Sequence, residues 1–146
     1  MRATELQIGD WVLKDMNWSE EDPLYSRLDY QLYQIESGDD IDLACENNCI
    51  GDGSIYQPIP LTPEILEKNG FEQKTDGWLR CEDKANEFQN YIFIQYRHQG
   101  DIRECEINYV NIVKANYLYI INYVHELQHA LRLCGLPELA DNFKVE

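Results

Sequence analysis

Five consecutive residues, His125-Glu126-Leu127-Gln128-His129, have the types and spacing of a zinc hydrolase. Two imidazoles four residues apart project from one side of a helix and can share a metal ion. A glutamate beside the first histidine can take the proton of a zinc-bound water as that water attacks a peptide carbonyl. The chemistry needs a third protein ligand and an open fourth position. In this reading His125 and His129 are metal ligands, Glu126 is the catalytic base, and Glu138 is the nearest acceptable third ligand.

The string is incomplete as a motif. A metzincin-like continuation places a glycine at position 132 and a histidine at position 135, where the chain has Arg132 and Gly135. His98 is the one other histidine and falls in an expected hairpin turn, while Glu138 and Asp141 follow a helix stop closely. Helical rotation also argues against a site. At 100° per residue, Val124, Leu127, Leu131 and Cys134 form an apolar stripe of about 80°. His125 lies roughly 140° and His129 roughly 180° from its centre. If that stripe is the core, both histidines are a solvated surface pair, and this is the preferred reading.

Other chemistries have less behind them. The chain lacks a glycine-rich phosphate loop, a G-x-S-x-G elbow and a dinucleotide fingerprint. Carboxylate pairs such as Glu20-Glu21 and Asp39-Asp40 are frequent because the chain is acidic. The five cysteines (Cys45, Cys49, Cys81, Cys105, Cys134) are irregularly spaced. Cys45 and Cys49 have no second pair to complete a four-ligand zinc site, so free thiols are expected.

The elements that would carry such residues follow from local patterns. Pro58–Phe71 specifies a short helix over Pro63–Asn69. Thr62 caps it, Pro63 occupies its first position, and Glu64 complements its dipole. Leu61 and Leu66 form a hydrophobic staple, and Gly70 ends the helix so that Phe71 folds back on Leu66. Strands are expected over Ile8–Leu13 and over Leu28–Ile35, where Leu28, Tyr30 and Leu32 alternate with Asp29, Gln31 and Tyr33. Ser37–Asp40 has turn composition, and Ile41–Ala44 and Ser54–Gln57 have weaker strand character. Asp76-Gly77 suggests one hairpin turn and His98–Asp101 another, between strands Tyr91–Arg97 and Ile102–Val110. A further strand passes through Val113 and Tyr119, and a terminal helix spans Asn122–Cys134, stopped by Gly135 with Pro137 beyond. The expected fold class is α+β with mostly antiparallel strands, a short central helix and a C-terminal helix. Gly9-Asp10-Trp11-Val12 has the form of an SH3-like barrel opening, by analogy.

Size and composition bound the rest. The 146 residues fit a single compact domain, 1–146, with 44% apolar and 27% charged content. Twelve Lys and Arg against 27 Asp and Glu give a formal charge of −15, which repels a phosphate backbone, and the basic residues are scattered. Direct nucleic-acid binding is therefore not expected. The plain reading of the acidity is solubility, and the sharper one is attraction to a basic protein surface, including imitation of nucleic acid. With no apolar run suited to a signal peptide or to a membrane span of about 18 residues, the expected location is the cytoplasm.

Three stretches together carry a resemblance: Arg2-Ala3, Glu5-Leu6 and Ile8–Val12; Pro58–Leu66 with Gly70-Phe71; and Tyr123–His125 with Leu127-Gln128 and Leu131. About 25 residues, in order along the chain, resemble small uncharacterised proteins of gut Bacteroidetes and their phages and mobile elements. The resemblance implies no activity, cofactor or catalytic residue. It implies a phage or mobile-element setting, with host cytoplasm as the compartment. Amides commonly stand in that family where this chain has Glu126 and His129, so the zinc-like string departs from the pattern. The function expected is a non-enzymatic acidic protein that binds a basic protein partner without a cofactor, a phage-encoded inhibitor of a host defence protein being one concrete form. The alternative is the zinc hydrolase.

Overall fold

The computed structural model describes residues 6–17, 29–46, 55–81, 91–98, 101–110 and 115–146. Two compact units divide the chain, Met1–Ile59 and Pro60–Glu146. The fold is α+β, and among the described residues every strand pairing is antiparallel.

In the first unit, β1 (Trp11–Asp15) lies between β2 (Tyr30–Gln34) and β3 (Tyr56–Pro58), giving the order β2-β1-β3. These three strands form an open sheet among the described residues, not the closed SH3-like barrel that the Gly9-Asp10 opening suggested. Val12, Ile35, Ile55 and Tyr56 are buried with Leu6, and Tyr33, Ile41 and Leu43 pack against them. Leu28 and Ser54, expected at strand ends, lie outside the described residues.

Ile41–Ala44 corrects the sequence reading: it is helical, within α1 (Gly38–Glu46). The physical reason is a capping pattern, Ser37-x-x-Asp40. The Asp40 carboxylate accepts the backbone N–H of Ser37 at 3.3 Å and of Glu36 at 3.2 Å. An apparent turn composition therefore starts a helix, because its third residue reaches back to the free amides.

The second unit opens with α2 (Pro63–Lys68), close to the helix expected. Thr62 Oγ1 accepts the Ile65 N–H at 3.4 Å. Backbone hydrogen bonding and the Thr62 hydroxyl hold the Glu64 carboxyl below the usual range. Gly70, at φ 80°, closes a Schellman motif: Phe71 N–H reaches Leu66 O and Gly70 N–H reaches Glu67 O. Leu61, Leu66 and Phe71 are all buried.

A five-stranded sheet follows in the order β4-β5-β6-β7-β8: β4 (Glu72–Lys74), β5 (Gly77–Cys81), β6 (Tyr91–His98), β7 (Asp101–Val110) and β8 (Ala115–Ile121). Both expected hairpins are present, with Lys74 opposite Gly77 and His98 opposite Asp101. Gln99 and Gly100, expected in the second turn, and Val113, expected in a strand, lie outside the described residues. Trp78 pairs with Ile94 and both are buried, so this face carries the core. Arg80 is on the same face two residues on, and its guanidinium donates to the Asn69 carbonyl at the end of α2. A cation there complements the negative end of the helix.

After β8 come α3 (Val124–Leu133) and α4 (Pro137–Asp141). Gly135, also at φ 80°, ends α3 in a second Schellman motif, with Leu136 N–H on Leu131 O. Pro137 then starts the short α4, which the sequence reading did not include, because a proline's missing N–H is harmless at a first helical position.

Gly77 is required by close approach rather than by a turn: a Cβ there would stand 2.0 Å from Ile94 O. Gly77→Ala should lower stability by at least about 1–3 kcal/mol, the range for forcing extra volume into packed structure. The measurement is the urea midpoint, and an unchanged midpoint would show that β5 and β6 are not this close.

Candidate functional site

The histidine string lies on α3 as the sequence required, but its surroundings differ from those expected. His125 is 1% exposed and His129 is half-buried. The expectation that both histidines face solvent is thus corrected. Val124, Leu127 and Leu131 are buried as the stripe required, yet Gln128, Ala130 and His125 are buried too. At 100° per residue these six positions span about 220° of the helix circumference. The stripe argument assumed one covered face, whereas α3 packs against both β8 and α4. Gln128 makes the second contact concrete, donating from Nε2 to Ala140 O at 2.8 Å.

The His125 ring stacks on Tyr123, with centroids 5.9 Å apart and planes 13° apart. It meets His129 edge-on at 5.7 Å. Glu126, the residue expected to act as base, has a different engagement. Its Oε2 accepts the N–H of Asn122 at 2.5 Å and of Tyr123 at 3.0 Å. It stands at the third position of α3 and caps the helix, as Asp40 caps α1. Glu138 is exposed on α4, and Asp141 pairs with Arg132 at 3.0 Å. Among the described residues, no three His, Cys, Asp or Glu side chains are grouped so as to hold a metal ion. In this geometry His125 stacks on Tyr123 and Glu126 accepts two backbone N–H groups at the start of α3.

A second constellation was not singled out from the sequence. Asp40, 8% exposed, gathers Tyr33, Tyr56 and Lys14 around its carboxylate. The Tyr33 hydroxyl donates to Asp40 at 3.0 Å and that of Tyr56 at 3.1 Å, while Lys14 Nζ lies 3.4 Å away. The Lys14 ammonium also sits 4.1 Å from the Tyr33 ring centroid and 5.6 Å from that of Tyr56. Burial opposes ionisation of Asp40, but the Glu36 N–H, the Tyr33 hydroxyl, the Lys14 charge and the Tyr56 hydroxyl outweigh it and hold the carboxyl below its usual range. Burial, reinforced by the Asp40 charge, pushes the Tyr33 phenol up to about 12 and raises that of Tyr56 as well. Phenols held this way are poor acids near neutral pH, so the arrangement is suited to holding charge rather than to moving protons. Lys14 and Tyr56 are partners across the β1–β3 pairing, a long-range register that sequence spacing does not reveal.

Cys81 and Cys134 are free thiols, and burial pushes that of Cys134 up to about 11, away from the reactive thiolate. Cys49 lies outside the described residues. No helix among the described residues is long and apolar enough to cross a membrane. No protein-family model matches the chain, and neither a curated protein nor a solved structure matches it.

His125→Ala should cost about 1–3 kcal/mol, as expected for opening space at a buried position, whereas His129→Ala should cost less. Equal small losses in urea unfolding would return His125 to the surface. The Tyr33 pKa rises on folding from its ordinary 10.0. Its contribution to stability is therefore complete below pH 10 and is lost as pH climbs through about 12. Tyr33→Phe should flatten the stability curve over that window, read by denaturant midpoints at stepped pH.

Proposed function

We propose that this is a non-enzymatic interaction protein that acts by binding another protein through a basic surface of that partner. The observation that carries the reading is the uneven distribution of charge. Residues 1–59 hold 13 Asp and Glu against 3 Lys and Arg, a net −10 of the −15 in the whole chain. Lys14 is the one Lys or Arg among that unit's described residues, and it is drawn onto Asp40. Glu36, Asp39 and Asp42 are exposed around the start of α1, which has no basic residue in its last turn. Like charges at this density repel one another and weaken the fold. The compensating property is a strong, salt-sensitive attraction for a cationic surface.

Engagement of Glu126 in a helix cap and the raised phenols beside Asp40 support a binding role over a catalytic one. The resemblance to phage and mobile-element proteins gives a setting: cytoplasm of a bacterial host, with a host defence protein as the target and inhibition by occupancy as the mechanism. A target that normally holds nucleic acid would present the required basic surface.

The test compares the chain with a variant carrying Glu36→Gln, Asp39→Asn and Asp42→Asn, all at exposed positions. The unaltered chain should retain a discrete partner from host lysate at low salt and release it as salt rises. The variant, folded by circular dichroism, should associate more slowly with the purified partner. Retention of the same partner at the same rate by both proteins would sink the reading, as would retention of nothing at low salt.

A further inference from the structure

We infer that Asp40, Tyr33 and Tyr56 form a binding cage for a primary alkylammonium group, filled in this chain by its own Lys14. The inference is independent of the proposed partner binding and rests on geometry. Tyr33 and Tyr56 have centroids 6.5 Å apart and planes tilted by 40°, so they form two non-parallel walls. The Asp40 carboxylate lies between their hydroxyls, hydrogen-bonded to both. The Lys14 ammonium occupies the space that these three groups define, facing both rings and the carboxylate.

Each part contributes a distinct selectivity. Aromatic faces attract a cation through the ring quadrupole, and more strongly where water is scarce. The carboxylate selects for positive charge and for donors, and a primary ammonium has three. The Glu36 and Ser37 amides hold the other carboxylate oxygen, Oδ2, while Lys14 faces Oδ1. The titratable and charged groups facing the cage are Lys14 from β1, Tyr33 from β2, Tyr56 from β3, Asp40 from α1, and the Glu36 charge beside Tyr33. The two rings and the carboxylate come from β2, β3 and α1, and hydrogen bonds that do not involve Lys14 join them.

Truncating Lys14 to alanine removes the equivalent of a propylammonium ion, which is therefore the probe. Thermal unfolding of Lys14→Ala is followed in propylammonium chloride, in sodium chloride of equal ionic strength, and in propanol. A saturable rise in Tm with propylammonium alone is expected, and Lys14→Ala combined with Asp40→Asn should lose it. A rise no larger than that in sodium chloride would overturn the inference. Should Lys14→Ala not fold, the unaltered protein decides by NMR. The Lys14 ε-methylene protons should be shifted upfield by the two rings and should move back in Tyr33→Leu. Ordinary shifts in the unaltered protein would equally overturn it.

Discussion

A helix that starts inside a folded protein leaves backbone N–H groups without intrahelical partners, and each must find an acceptor. In this chain a carboxylate at the third helical position supplies one twice. Asp40 reaches back to Glu36 and Ser37, and Glu126 to Asn122 and Tyr123. Much else follows from these two contacts. Asp40 is fixed in the position where two phenols and an ammonium converge. Glu126 orients α3 as it leaves β8, which turns His125 against Tyr123 and places Gln128 toward α4. At Asp40 these amides, with the two phenols and the Lys14 charge, hold the carboxyl below its usual range.

The second unit has a neutral counterpart to Asp40 in Asn69. Its side-chain amide donates to Ile65 O and Lys144 O, both at 2.7 Å, and accepts the Lys144 N–H at 2.8 Å. Its own carbonyl accepts Arg80 from β5. One buried residue thereby joins the end of α2, the sheet, and a segment 75 residues further along. Asparagine suits this role because it offers donors and an acceptor on one planar group, as a peptide bond does. An aspartate there would lack the donors and would leave two carbonyls unsatisfied.

What the sequence makes legible here is local chemistry. Thr62, Pro63 and Gly70 act within a few residues of one another, so α2 and its Schellman ending could be derived residue by residue. The hairpins of the five-stranded sheet were legible for the same reason. Ile41–Ala44 was misread because its apolar residues were weighed without the Ser37-x-x-Asp40 signal that precedes them. His125 was misplaced for a different reason. A hydrophobic stripe reports where a helix is apolar, and cannot report that a second element, α4, meets the flank carrying Gln128 or that Tyr123 stacks on His125. The Asp40 constellation was hidden because its members come from β1, β2, β3 and α1, joined by a register that no spacing encodes.

The acidity of the first unit takes on a different meaning once its carboxylates are separated by environment. Asp10, Asp15 and Asp40 are buried and each accepts backbone N–H groups: Asp10 from Gln7, Asp15 from Asn17 and Asp29, and Asp40 from Glu36 and Ser37. Each ties together chain segments at a turn or a helix start through the amides it holds. Asp29, Glu36, Asp39 and Asp42 are exposed, and their mutual repulsion works against the same fold. A domain under that opposing load gains from acceptors stronger than neutral side chains at its junctions, and a carboxylate is the strongest that the side-chain repertoire offers. Buried and exposed acids thus answer to separate demands, one to closing the fold and the other to the field it projects. Composition alone, which counts them together, cannot tell the two apart.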